Sequence, residues 1–290
     1  MTLTVLASGK GSPGVTTTAL ALAAAWPRPV LLAECDPAGG DIAAGFLRAS
    51  TPTRGGLLEL ALAARRGLVA PDVLRVCLSL SAPDQRVLLL AGLTDPAHGA
   101  ALIPVWPEIV RTLKQLGSSD PSYDVLADVG RLPSAGLDSL LAAADRVLLV
   151  LRPTLAQIHH TRHRLAAVRR LRADETDTDT SSVSILMLGD RPYAAGEVEE
   201  ALDAPVAAVL ADDPRAAAAL GDGTAGGRRF NTSALMRSAR AAAAALRGAE
   251  HPHDRKQPAA WSETAVTAQH DGQRREQQPE HSDANGVPRR

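Results

Sequence analysis

Short, wholly apolar runs recur along this chain, and most are followed by a longer stretch of helical character. "LTVLAS" (3–8), "PVLLAE" (29–34), "RVLLLAG" (86–92), "YDVLAD" (123–128), "DRVLLVL" (145–151), "SVSILML" (182–188) and "PVAAVLA" (205–211) have the length and flanks of strands, with little in/out alternation. Strands apolar on both faces are strands covered on both faces. Between them lie "TTTALALAAAW", "GGLLELALAARRG", "GAALIPVWPEIVRTLKQLG", "LAQIHHTRHRLAAVRRLRA" and "AGEVEEALD". Strand, helix, strand order demands crossovers that lay helices over the sheet. The pattern predicts an α/β fold: a doubly wound, mostly parallel sheet of about seven to eight strands with helices on both faces. Hydrophobic residues make up 45% of the chain and aromatics only 2%, so this core must be built from Ala, Leu and Val.

The first run leads directly into "GKGSPGVTTTALALAAAW" (9–26). Ligands of open α/β sheets bind beyond the carboxyl ends of the strands, where this loop falls. Gly9, Gly11 and Gly14 let successive backbone amides converge on an anion, while Thr16, Thr17 and Thr18 open a helix whose positive end favours negative charge. A tight strand-to-helix turn would use the same glycines, and spacing alone does not separate the two readings.

"KGSPGVTT" (10–17) resembles the deviant Walker A loop of the ParA/MinD family of P-loop ATPases, in which a lysine-glycine start and two variable residues precede glycine-lysine-threonine-threonine. The resemblance places Gly11, Ser12, Pro13, Gly14, Val15, Thr16 and Thr17 around the phosphates of ATP. It puts Lys10 on the early lysine that reaches across a dimer to the partner's nucleotide, Thr16 on the magnesium ligand and Thr17 beside the alpha phosphate. Val15 falls on the ordinary Walker lysine, and this is the departure. Loss of that ammonium removes a charge that neutralises the beta and gamma phosphates, so binding should weaken and hydrolysis should weaken more.

Other segments match in order. "LLAECDPAGGD" (31–41) resembles the family's second strand and first switch, with Glu34 at the first acidic place and Asp36 at the second, which in the family orients the attacking water. "YDVLADVG" (123–130) resembles the Walker B strand, with Asp128 placed to support magnesium through water. "ADRVLLVLRPTLAQIHHTR" (144–162) resembles a later strand and helix of the family, and residues 185–223 its last strands and base loop. Where an asparagine commonly reads adenine this chain has Gly189 and Asp190, so the resemblance leaves base specificity open. Asp212, Asp213 and Pro214 fall where the family's last loop edges the base. The likeness spans about residues 1 to 247 and implies ATP and Mg2+ as cofactors, a nucleotide-dependent homodimer and a partner protein.

Several other features have plainer readings. His159 and His163 stand at helical spacing for a shared metal, but Arg162, Arg164, Arg169 and Arg170 make the surroundings cationic, and a solvated basic face accounts for them better. That face is a surface for DNA phosphates or an acidic partner. "TSALMRSARAAAAALR" (232–247) reads as a closing helix capped by Thr232 or Ser233. Its alanines offer little membrane affinity, so membrane contact is expected only as peripheral, if at all. Asp84, Asp95 and Asp120 adjoin prolines and read as turn acids. Cys35 and Cys77 lie far apart without CxxC spacing, which argues against a disulfide scaffold or zinc site.

A formal net charge of -1 exerts no global pull on nucleic acid or anionic lipid. No run approaches about 18 uninterrupted apolar residues, and no secretory leader pattern opens the sequence, so a cytoplasmic location is expected. Residues 173–182 read as an acidic surface loop. Residues 1–248 form the expected P-loop domain and 249–290 a disordered polar tail, too poor in apolar residues to offset its ordering entropy. Two functions fit: an ATP-binding dimer switch with slow or absent hydrolysis, serving partition, division-site placement or assembly, or a scaffold that keeps the fold without the nucleotide.

Overall fold

The computed structural model describes residues 2–49, 55–81, 84–134, 136–175 and 182–248. The expected tail and residues 176–181 of the acidic loop lie outside the described residues. The strands are β1 (Leu3–Ser8), β2 (Val30–Glu34), β3 (Leu78–Ser79), β4 (Val87–Leu90), β5 (Asp124–Arg131), β6 (Arg146–Leu151), β7 (Val183–Leu188) and β8 (Val206–Leu210). They form an 8-stranded sheet in the order β3-β4-β2-β5-β1-β6-β7-β8. Every pairing is parallel except β3 with β4. Each apolar run of the sequence is a strand, and the parallel sheet follows the expectation. β3 is the addition: an antiparallel edge of two residues, too short to leave a pattern in the sequence.

The helices are α1 (Val15–Ala25), α2 (Gly56–Ala64), α3 (Ala70–Arg75), α4 (Gly99–Leu102), α5 (Trp106–Gln115), α6 (Asp138–Ala143), α7 (Leu155–Glu175), α8 (Ala195–Leu202), α9 (Pro214–Gly221), α10 (Gly227–Asn231) and α11 (Ala234–Gly248). The stretch 99–117 reads as one helix in sequence but divides at a 3-10 turn, Ile103–Val105, into α4 and α5. Pro104 and Pro107 supply no backbone N–H there, so the hydrogen-bond ladder cannot run through.

Alternate residues of each strand feed two separate cores. Leu3, Val5, Ala7, Leu31 and Ala33 pack with α2, α3, α5, α6, α7 and α8. Leu6, Val30 and Leu32 pack with α1, α9, α10 and α11. The closing helix α11 is capped by Ser233, whose hydroxyl accepts the Met236 N–H at 3.2 Å, while the Thr232 hydroxyl donates to the Arg228 carbonyl at 2.9 Å. Ser233→Ala should therefore lower unfolding stability by about 1 kcal/mol and Thr232→Ala by less, as chemical denaturation would read.

At the amino end of β5, wholly buried Asp124 accepts the Thr2 N–H and the Trp26 indole N–H, each at 3.0 Å, and forms an ion pair with the Arg247 guanidinium at 3.0 Å. One carboxylate thus joins the entry of β1, the end of α1 and the last turn of α11.

Candidate functional site

Strand order reverses direction around β1: the chain leaves it for β2 on one side, with β5 between them, and later adds β6 on the other. A crevice opens beyond the carboxyl ends of strands at such a point. The loop 9–14 crosses it. Gly11 and Gly14 take φ values of 76 and 110, left-handed conformations that glycine enters without the cost other residues meet. Gly14 is also the N-cap of α1, so no side chain caps the helix, and the first turn carries no acid. The positive end of α1 is therefore left to attract an anion from outside the chain.

Behind the loop, the Thr16 hydroxyl donates to the Asp128 carboxylate, which also accepts the Gly130 N–H at 2.9 Å. Asp128 is only 3% exposed. Burial, with smaller contributions from Asp36 and Asp41, pushes its pKa up to about 6 against the lowering effect of these hydrogen bonds. Among the described residues, no group of three or more His, Cys, Asp or Glu could hold a metal ion. The Thr16 and Asp128 oxygens instead suit a magnesium-like cation that draws its other ligands from phosphate and water.

Asp36 joins this pair. It accepts the Ala38 N–H at 2.8 Å, and burial, together with Asp41, raises its pKa while Arg131 opposes the rise. A Cβ on Gly130, which has φ +64, would stand 1.7 Å from the Asp36 Oδ2. Gly130→Ala should therefore displace Asp36, and it should lower stability by about 1–3 kcal/mol through steric and backbone strain. Glu34, 2% exposed, does not share this role. It accepts the Ile42 N–H at 2.9 Å and the Gly92 N–H at 3.0 Å, clamping the loops after β2 and β4. Burial is the main cause of its raised pKa.

Val15 points elsewhere. It is 7% exposed and belongs to the apolar cluster with α1, α9 and α11. Ser12, Pro13, Gly14 and Thr17 line a recess of about 180 Å3, closed by Leu188, Arg152 and Asp212. Arg152, which sequence reasoning missed, pairs with Asp212 at 2.7 Å across 60 residues of chain. Asp213 caps α9 through the Ala216 N–H at 3.1 Å. Asp190 and Pro214 stand exposed and are not brought to the recess wall. Lys10 faces another recess, on the α7 side of the loop.

The basic face expected of α7 lies at the surface, with Arg162, His163 and Arg170 exposed and Arg164 and Arg169 half-buried, but some of its guanidinium groups are also engaged by neighbouring carbonyls. Arg162 donates to the Ala201 carbonyl and Arg169 to the Asp203 carbonyl, each at 2.6 Å, at the end of α8. Arg172 is wholly buried and donates to the Leu141 carbonyl at 2.6 Å and the Ser182 hydroxyl at 2.8 Å. Helical spacing placed the charges, but the neighbouring carbonyls decided their use. No helix among the described residues is long and apolar enough to cross a membrane.

No family model and no curated protein matches the chain. Solved structures do. A ParA family ATPase from Chlorobium tepidum TLS is 17% identical over 84% of this chain and 99% of that one, with a TM-score of 0.60. The MinC:MinD cell division protein complex of Aquifex aeolicus matches at 17% identity over 88% and 99%, with a TM-score of 0.63. The septum site-determining protein MinD of Pyrococcus horikoshii OT3, solved with Mg-ADP, matches at 16% over 87% and 98%, with a TM-score of 0.62. With its switch point, glycine loop and Thr16–Asp128 pair in place, this chain has the fold of the ParA and MinD P-loop ATPases.

Proposed function

We propose that the chain is an ATP-binding switch that dimerises around Mg-nucleotide and serves positioning, partitioning or assembly. The hydrogen bond from Thr16 to buried Asp128, at the foot of a loop with an uncapped helix end, carries this reading. In it the loop amides and Thr17 bind phosphate, Thr16 and Asp128 hold Mg2+, Asp36 orients water, and Lys10 acts on the nucleotide of a second copy. The structure solved with Mg-ADP supports the cofactors, and the complex with MinC supports a partner protein, each as a property of that relative.

Because Val15 is packed in the core, no ammonium from this position meets the phosphates, and hydrolysis is slow or absent. The same observation favours a second reading, a scaffold that has lost the nucleotide. DNA contact through the remaining basic surface and a peripheral membrane role are weaker extensions of the first reading.

Calorimetry and light scattering with a slowly hydrolysed ATP analogue and magnesium separate the two. The switch predicts binding that raises the melting temperature and doubles the mass, and Lys10→Ala should keep binding but lose the doubling. No binding at millimolar analogue overturns the switch and leaves the scaffold.

A further inference from the structure

The recess on the α7 side has a volume of about 560 Å3, within the range of about 300–1,000 Å3 usual for ligand sites. Gly9 holds the loop against α7: a Cβ there would meet Thr161 at 3.0 Å. The recess is lined by Lys10 of the loop, Arg131 at the end of β5, and His160, His163 and Arg164 of α7, with Leu132 and Pro133 between them. Among the described residues, no carboxylate lines it. His159 stands behind, its ring 5.4 Å from that of His160 and 5.2 Å from that of His163.

Among the described residues, carboxylates bear on this group from its margins. Asp36 acts on Arg131, and Asp138 lines an adjoining groove that Arg164 shares. The contrast with the rest of α7 is informative, because Arg162 and Arg169 are committed to the carbonyls of α8 while Lys10, Arg131 and Arg164 converge on the recess. Gathering cations from separate elements around one cavity costs self-repulsion, which an anion would relieve. Desolvation, then Lys10, His159, His163 and Arg164, hold the His160 pKa below its ordinary value, so an anion seated here would draw a proton onto the ring.

We propose that this recess binds a phosphate-class polyanion, gripped by Lys10, Arg131 and Arg164 and held more tightly when His160 takes up a proton. The polyanion has two sources: a free ion such as pyrophosphate, or the nucleotide phosphates of a second copy. Only the second source rests on the switch reading, and it would add Arg131, Arg164 and His160 to the work of Lys10.

The test is calorimetric titration of the full chain with pyrophosphate, without magnesium, at about pH 6 and about pH 8, with mass followed by light scattering. Binding about tenfold tighter at the lower pH is expected, because histidine gains its charge across that interval. Arg164→Ala should weaken it about tenfold, and His160→Ala should abolish the pH difference. If pyrophosphate does not bind, but the ATP analogue with magnesium doubles the mass more readily at pH 6 and Arg164→Ala removes that advantage, the anion comes from a second copy. Pyrophosphate binding that survives in Arg164→Ala or is indifferent to pH overturns the proposal. So does the absence of both responses. Pyrophosphate binding as expected, with no binding of the ATP analogue, would leave this site standing and remove only the switch.

Discussion

Replacing Asp128 by asparagine should stabilise the ligand-free chain at neutral pH while abolishing its response to Mg-nucleotide. The sign follows from burial. Burial pushes the carboxyl pKa up to about 6 in the folded chain against an ordinary value of 3.8, so folding favours its protonated form. Below pH 3.8 it is protonated in both states and contributes no pH dependence. As pH rises from there toward 6 the unfolded chain ionises first, and stability falls. Above 6 the full penalty is present, about 3 kcal/mol for a rise of this size. Asparagine cannot ionise, so Asp128→Asn should raise unfolding stability at pH 7.5 by up to about 3 kcal/mol, a gain that shrinks toward zero near pH 4. Urea denaturation at the two pH values reads this directly.

The same variant lacks the anionic oxygen that a divalent cation needs beside the Thr16 hydroxyl. Its melting temperature should then be indifferent to the ATP analogue with magnesium, although that of the parent rises. A site kept at a cost to stability is one retained for binding. An Asp128→Asn chain destabilised equally at both pH values would show that the carboxylate is structural and would remove the main support for the switch.

The second large effect lies at the amino end of the same strand. Asp124→Ala should lower stability by about 3–5 kcal/mol, the usual consequence of taking one partner out of a buried ion pair. It withdraws the acceptor of the Thr2 N–H and the Trp26 indole and the ion-pair partner of the Arg247 guanidinium, groups that belong to distant parts of the chain. Asp124→Asn, which keeps oxygen but not charge, should fall between. Asp124 is four residues from Asp128, roughly 13 Å along an extended strand, so nucleotide affinity at a temperature where the variant is folded should be unchanged. A loss below about 1 kcal/mol would mean that α11 is held by its apolar face alone.

The two positions divide what the sequence reveals from what it hides. Asp128 was legible because a strand end, an apolar run and a glycine two residues later are neighbours in sequence, and because ligand sites in such sheets lie at strand ends. Asp124 is just as buried but had no such signal: its partners come from 98 and 122 residues away in the chain. The same limit hid Arg152, whose partner Asp212 is brought close only when β6, β7 and β8 align.

By itself the sequence determined the parallel α/β architecture, the strands other than β3, the glycine loop and the acidic strand ends, since each depends on periodicity or on residues a few positions apart. Tertiary structure alone decided that Val15 turns into the core, that Glu34 clamps loops, that the α7 arginines divide between α8 and the recess, and that Lys10 meets Arg131, His160, His163 and Arg164. The physical reason is that local pattern fixes which way a side chain can point, whereas the direction it takes is set by the carbonyls, charges and apolar surface that distant segments bring to it.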